Sequence, residues 1–233
     1  MRVALVSVGD ELLAGETVNT NAAWLARQLA DRGATVERVT VVPDRVDEIA
    51  GVVNVYRAEY DAVIVTGGIG PTHDDVTMGG VAAAVGVDLA TSEAALEYIE
   101  THLGYARDDL TEGTADIPAS GEFIPNPEGV APGCHVENVY VLPGVPEEMR
   151  GMFGEIADEF TGTRQYVETV SADEPESALL ERIGQLRERF DVSVGVYPGE
   201  TVRIRISGPD EGVVGRAAGW LAERVDQPAD QSM

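Results

Sequence analysis

Lysine is missing from this 233-residue chain, and all 16 basic residues are arginine. A Walker A loop requires a lysine, so that route to a phosphate is closed. A single cysteine, Cys134, excludes an internal disulfide and a thiolate zinc cluster. The three histidines, His73, His102 and His135, are scattered and show no H-E-x-x-H spacing, which gives no histidine-only metal site. No apolar run approaches the roughly 18 residues that span a bilayer, and the opening MRVALVSVGDELL meets charge too early for a signal peptide. These absences predict a soluble, cytoplasmic protein with no membrane partner.

What the chain has in excess is acid: 41 Asp and Glu residues give a formal net charge of -25. They are spread over both halves and form no block. Such a balance reads as a hydrated carboxylate surface suited to a salt-rich cytoplasm, where self-repulsion is screened. An acidic interaction surface is the alternative. Nucleic acid is not an expected partner, because binding a phosphate backbone needs a basic footprint. At 44% hydrophobic residues, the chain has material for one ordinary domain plus a small one.

Hydrophobic patterning gives the architecture. RVALVSVG reads as a buried strand, and NTNAAWLARQLADRG as a helix with Ala22, Leu25 and Leu29 on one face. ATVERVTVVP is the next strand; Asp44 with Asp47 opens a helix carrying Val46, Ile49, Ala50 and Val53. AVIVT is a continuous apolar run, as in a central parallel strand covered on both faces. Helices follow from about Val76 to Val85 and from Ser92, and the short runs EFI and VYVL suggest further strands. Pro146 begins a helix whose buried face holds Met149, Met152, Phe153, Ile156 and Phe160. This alternation predicts an α/β three-layer domain with a mostly parallel sheet over 1–162. A boundary near TGTR is followed by a small βαββα unit over 165–226, with helices from Glu174 to Phe190 (Leu179, Leu180, Ile183, Leu186) and from Gly212 to Val225, then a polar tail at 227–233.

In an open parallel sheet, ligands bind beyond the carboxyl ends of the strands. Three loops occupy that position: SVGDELLAGETVNTN, TGGIGPTHDDVT and LPGVPEEM. In the second, Gly67, Gly68 and Gly70 allow a sharp turn that aims amides at an anion, and the following helix adds its positive end. Asp74 and Asp75 do not suit a phosphate, since like charges at contact distance repel. A divalent cation, magnesium, manganese or cobalt, reconciles them by taking carboxylate oxygens on one side and phosphate oxygens on the other, with His73 orienting a water or contacting the ligand. The bland alternative makes both aspartates helix caps with Thr77 and the glycines a plain turn. Asp10 and Glu11 either complete the carboxylate cluster or are solvated acids. Asn19 and Asn21 are caps or ligand contacts, and Pro143 and Gly144 form a rigid turn that faces the ligand or merely leads into the helix dipole. A dinucleotide fingerprint and a G-x-S-x-G elbow are absent.

Taken in order, SVGDELLAGETVNTNAAWLA, VTGGIGPTHDDVT, NPEGVAPG and LPGVPEEM resemble the molybdopterin-binding (MoaB/Mog-like) domain in the form found in the competence/damage-inducible protein A (CinA) family. PESALLERI and VGVYPGETVRIRIS resemble the small KH-like α+β module that follows it there. The resemblance implies either metal-dependent hydrolysis of ADP-ribose-type nucleotide pyrophosphates or binding of molybdopterin without hydrolysis. It implies a phosphate and metal site at Thr66, Gly67, Gly68, Gly70, Asp74, Asp75 and Thr77, with Asp10 and Glu11 opposite, a small nucleotide or pterin as partner, and a homodimer. The chain departs from its relatives in carrying Met78, Gly79 and Gly80 where many have a charged pair. It also stops before the amidase domain of full-length CinA proteins, so that activity is expected to be absent. Arg203 and Arg205, alternating on TVRIRIS, face solvent or an anion, and no G-x-x-G loop supports an RNA role for this module.

Overall fold

A computed structural model describes residues 1–70, 72–226 and 228. Pro71 and most of the polar tail assigned to 227–233 lie outside the described residues. The chain divides into two compact units, Met1–Gly162 and Thr163–Met233. Among the described residues no helix is long and apolar enough to cross a membrane.

The first unit begins with β1 (Arg2–Val8), α1 (Asp10–Leu13), α2 (Thr20–Asp31), β2 (Thr35–Val42), α3 (Val46–Glu59), β3 (Ala62–Thr66) and α4 (Thr77–Val85). It continues through β4 (Leu89–Thr91), α5 (Glu93–Tyr98), β5 (Asp116–Pro118), β6 (Glu122–Ile124), β7 (Gly133–Val136), β8 (Val139–Leu142) and α6 (Pro146–Ile156). Six strands form one sheet in the order β2-β1-β3-β8-β7-β6. β2, β1, β3 and β8 run parallel, and β7 runs antiparallel to its neighbours β8 and β6. All five residues of AVIVT are buried because β3 is flanked on both sides and covered on both faces.

The strand alternation divides the core in two. Leu5, Ile64 and Leu142 meet Leu25 and Leu29 of α2 and Met149, Met152 and Phe153 of α6 on one face. Val6, Val63, Val65 and Val141 meet Ile49 and Val53 of α3 and Val81 of α4 on the other. This is the expected three-layer α/β arrangement. The sequence reading missed β7 and the two-stranded ribbon of β4 and β5. LAT, DIP and GCHV lack the aromatic and β-branched runs that mark EFI and VYVL, and β7 pairs with β8 across a tight hairpin.

The second unit is β9 (Tyr166–Ala172), α7 (Glu176–Arg189), β10 (Ser193–Tyr197), β11 (Val202–Gly208) and α8 (Glu211–Ala222). Its antiparallel sheet has the order β10-β11-β9. Val202, Ile204 and Ile206 of β11 pack with Leu179, Ile183 and Leu186 of α7 and Val214 and Leu221 of α8. Leu180, grouped with those apolar positions in the sequence, is 64% exposed because the neighbouring Leu179 takes the inward position. Glu174 stands outside α7 and receives Arg182 at an ion pair instead.

Candidate functional site

The carboxyl ends of β1, β3 and β8 lie side by side and bring the three loops together. Ser7 and Thr66 are register partners there, and Ser7 Oγ accepts from Asn19 Nδ2 at 3.0 Å and from Thr66 Oγ1 at 3.4 Å. Asn19 also caps α2, its side chain accepting from Ala22 N–H at 3.1 Å, so its role is structural. Asn21 differs: its Nδ2 donates to Gly144 O at 2.7 Å, tying the first loop to the third, while its buried Oδ1 has no partner. Ser7, Asn21, Thr66, Gly67 and Gly144 enclose about 120 Å³, a space the size of one phosphate group and too small for a whole nucleotide.

The second loop leaves β3 through two consecutive residues of positive φ, Gly67 at +101° and Gly68 at +60°. A Cβ on Gly67 would lie 2.4 Å from the Val8 carbonyl oxygen, so only glycine fits. Thr77 N–H donates to Gly68 O at 3.0 Å, and the fully buried Thr77 Oγ1 has no partner. Asn21 Oδ1 and Thr77 Oγ1 are the two buried side-chain oxygens without a partner among the described residues, and both belong to this loop system. A buried polar atom left unpaired calls for an explanation, and an absent ligand or water is the ordinary one.

The aspartates do not cap α4, contrary to the cap reading. Its cap position is Val76, with no side-chain bond. Asp75 instead accepts from Thr72 N–H at 3.1 Å and from the Thr72 hydroxyl, closing a turn within the loop. Gly70 leaves room for this carboxylate: a Cβ there would sit 2.6 Å from Asp75 Oδ2. Asp74 points to solvent, 3.9 Å from the fully exposed His73. Its carboxyl is held below the ordinary range, first by the Thr72 hydroxyl and then by its own N–H. One hydroxyl proton serves one carboxylate at a time, and the hydrogen-bond geometry assigns it to Asp75.

Asp75 and Gly70 stand between two further cavities. One, of about 420 Å³, lies between Gly68, Gly70 and Asp75 and the third loop at Pro143, Gly144 and Glu148. The other, of about 360 Å³, is bounded by Thr72, His73 and Asp75 and by Glu112, Thr114 and Asp116. Both fall within the size range of small-molecule sites. Glu148 is fixed by Asn126, whose Nδ2 donates to Glu148 Oε2 at 2.8 Å and to Ala131 O at 2.9 Å. This clamp joins NPEGVAPG to LPGVPEEM and was not visible in the sequence, where the partners are 22 residues apart.

The expected carboxylate trio does not assemble. Among the described residues there is no group of three or more metal-ligating side chains, so Asp10 does not join Asp74 and Asp75. Asp10 is exposed and its N–H donates to Asp44 Oδ2 at 2.8 Å; Glu11 lines the first cavity. Asp44 does not open α3 as its sequence position predicts: α3 is capped by Arg45 without a side-chain bond, and Asp44 holds the loops after β1 and β2 together. Its place just past the end of a parallel strand was the available signal. Two carboxylates without a third do not cage a resident cation. They do suit magnesium, which keeps its waters and binds through one or two carboxylates plus substrate phosphate.

A family model described as "Probable molybdopterin binding domain" matches residues 4–162, the whole of the loop system included. The chain belongs to this family. A protein of Archaeoglobus fulgidus is 36% identical over 228 residues, covering 97% of this chain and 99% of its own. A CinA-like protein of Geobacter metallireducens is 38% identical over 232 residues, of which this chain covers 92% of itself and 56% of the relative. The crystal structure of CinA from Thermoplasma acidophilum, a protein of unknown function, is 41% identical with a TM-score of 0.63, covering 68% of this chain and 97% of that one. In this molybdopterin-binding domain, then, the glycine turn, the orphaned oxygens and Asp75 all sit at the strand ends where the fold places ligands.

Proposed function

We propose that the molybdopterin-binding domain acts as a metal-dependent pyrophosphatase on ADP-ribose-type substrates. The observation that carries the reading is the charge of the site: its three cavities are lined by Asp75, Glu11, Glu148, Glu112 and Asp116, and by no arginine. Apart from His73 at the rim, a phosphate entering there would rely on backbone amides, the N-terminus of α4 and a cation to offset its charge. Asn21 Oδ1, in the wall of the first cavity, would offer an acceptor to a ligand hydroxyl or N–H. A bound divalent cation would neutralise the pyrophosphate and lower the pKa of a coordinated water. Asp75 would hold it, with Asp74 beside it, while Thr72 keeps the Asp75 carboxylate turned into the site. His73, exposed at the rim, is placed to orient a water. Two cavities on either side of Asp75 fit a substrate with a bulky group at each end of its pyrophosphate.

The test is AMP release from ADP-ribose in high-salt buffer with magnesium, manganese or cobalt, against a chelator control. Asp75→Asn is expected to abolish turnover with the fold intact; unchanged turnover would remove Asp75 as a required ligand. The family description supports a second reading, molybdopterin bound without hydrolysis. Folded protein that releases no AMP with any metal but binds molybdopterin would establish it. A homodimer belongs to either reading, and light scattering after gel filtration tests it.

A further inference from the structure

The second unit carries a surface that the first unit's chemistry leaves unused. It holds 8 of the 16 arginines but 13 of the 41 acids, so it is far less acidic than the first unit. Its helices cover one face of the β10-β11-β9 sheet, leaving the other face open. Arg203 and Arg205 stand on that open face, about 7 Å apart along β11. Neither has a carboxylate partner among the described residues, although acids outnumber arginines in the chain by more than two to one. Their cross-strand neighbours are Tyr197 and Gly195 on β10 and Ser171 and Thr169 on β9, with no acid among them.

Tyr197 adds an aromatic surface. A Cβ on Gly195 would lie 3.0 Å from the Tyr197 ring, so the ring folds back over Gly195 along the sheet. Tyr197 remains 49% exposed, and the register sets it opposite Arg203 and sets Gly195, under its ring, opposite Arg205. Arg205 Nη1 donates to Ser207 Oγ at 3.3 Å, a neutral partner that leaves its charge unbalanced. An exposed ring on the same sheet face as two arginines without carboxylate partners combines the stacking and charge needed to hold an aromatic phosphate.

We propose that this open sheet face binds a free nucleoside monophosphate, the base stacked on Tyr197 and the phosphate held by Arg203 and Arg205. Charge selects the free nucleotide over a strand. Two guanidinium groups balance one phosphate monoester, whereas a single strand would bring further phosphates against a chain of net charge -25.

Calorimetric titration of AMP into the full chain tests the assignment, with ribose 5-phosphate as the probe without a base. Tyr197→Ala is expected to weaken AMP at this face about tenfold while leaving ribose 5-phosphate unchanged. Arg203→Ala with Arg205→Ala is expected to remove one equivalent of bound AMP, and Arg203→Lys with Arg205→Lys to retain it. All three positions are exposed on an existing sheet, and circular dichroism checks that each variant is folded. AMP binding by the double alanine variant equal to wild type would overturn the proposal. So would an eight-nucleotide single strand that binds this face more tightly than AMP.

Discussion

Gly67 and Gly70 lie three residues apart in one loop, yet they are glycines for different reasons, and alanine at each separates fold from chemistry. At Gly67 the added Cβ meets the Val8 carbonyl oxygen at 2.4 Å, and φ is +101°. A backbone oxygen at the end of a central strand cannot swing aside. The left-handed conformation costs alanine about 1–2 kcal/mol and the crowding about 1–3 more, together about 2–5 kcal/mol. At about 2–4 °C per kcal/mol, Gly67→Ala should lower the melting temperature of the first unit by ~4–20 °C. At Gly70 the Cβ meets Asp75 Oδ2 at 2.6 Å, and that obstacle is a carboxylate on a side chain that can rotate. Gly70→Ala should therefore melt within a degree or two of wild type while losing metal-dependent AMP release, because Asp75 is displaced from Thr72. Differential scanning calorimetry with the ADP-ribose assay reads both. Wild-type melting of Gly67→Ala, or full turnover in a stable Gly70→Ala, would refute the reasoning.

Cys134 is fully buried on β7, and desolvation pushes its thiol up to about 12. The folded chain therefore keeps its proton when the unfolded chain, with an ordinary thiol near 8.5, has lost it. That stabilisation is complete below pH ~8.5 and is lost as pH rises towards 12, so Cys134→Ala should flatten the alkaline limb of a stability profile; an unchanged limb would contradict it. Native protein at pH 8 should likewise resist iodoacetamide until denaturant is added. The net charge of -25 predicts a second dependence. Cooperative structure should be lost when salt is dialysed away and return on its addition, and a circular dichroism spectrum unchanged in dilute buffer would count against a halophilic design.

The sequence was most legible where one physical cause dominates. AVIVT has the pattern of a strand covered on both faces, and VRIRI alternates because one sheet face meets helices and the other meets water. It was least legible where the cause is tertiary. Asp75, set before Thr77, has the spacing of a helix cap, but the loop turns back at Thr72 and gives the carboxylate two nearer donors. Asp44 has the same look and is likewise diverted, to the amide of Asp10, 34 residues away in sequence. The short strand β7 needs β8 beside it, and Asn126 needs Glu148. Local rules identify residues able to make a bond; which bond forms depends on what the fold brings near.

The acidity of this chain bears on the proposed site as well as on its surface. A lysine or arginine clamp is the ordinary way to hold a phosphate, and its attraction works over many ångströms at low salt. In molar salt the screening length falls to about 3 Å, and long-range attraction contributes little. Contacts made at coordination distance, about 2.1 Å for magnesium and oxygen, lie within that length. On the proposed reading, cavities lined by carboxylates and by no arginine, which would share a cation with the substrate, would lose little in salt that blunts a basic clamp. The same salt screens the repulsion between the substrate and the surrounding acids. If the proposed function holds, the acidic surface and the acidic loop would be compatible answers to a salt-rich solvent, with a divalent cation accompanying the substrate into the site.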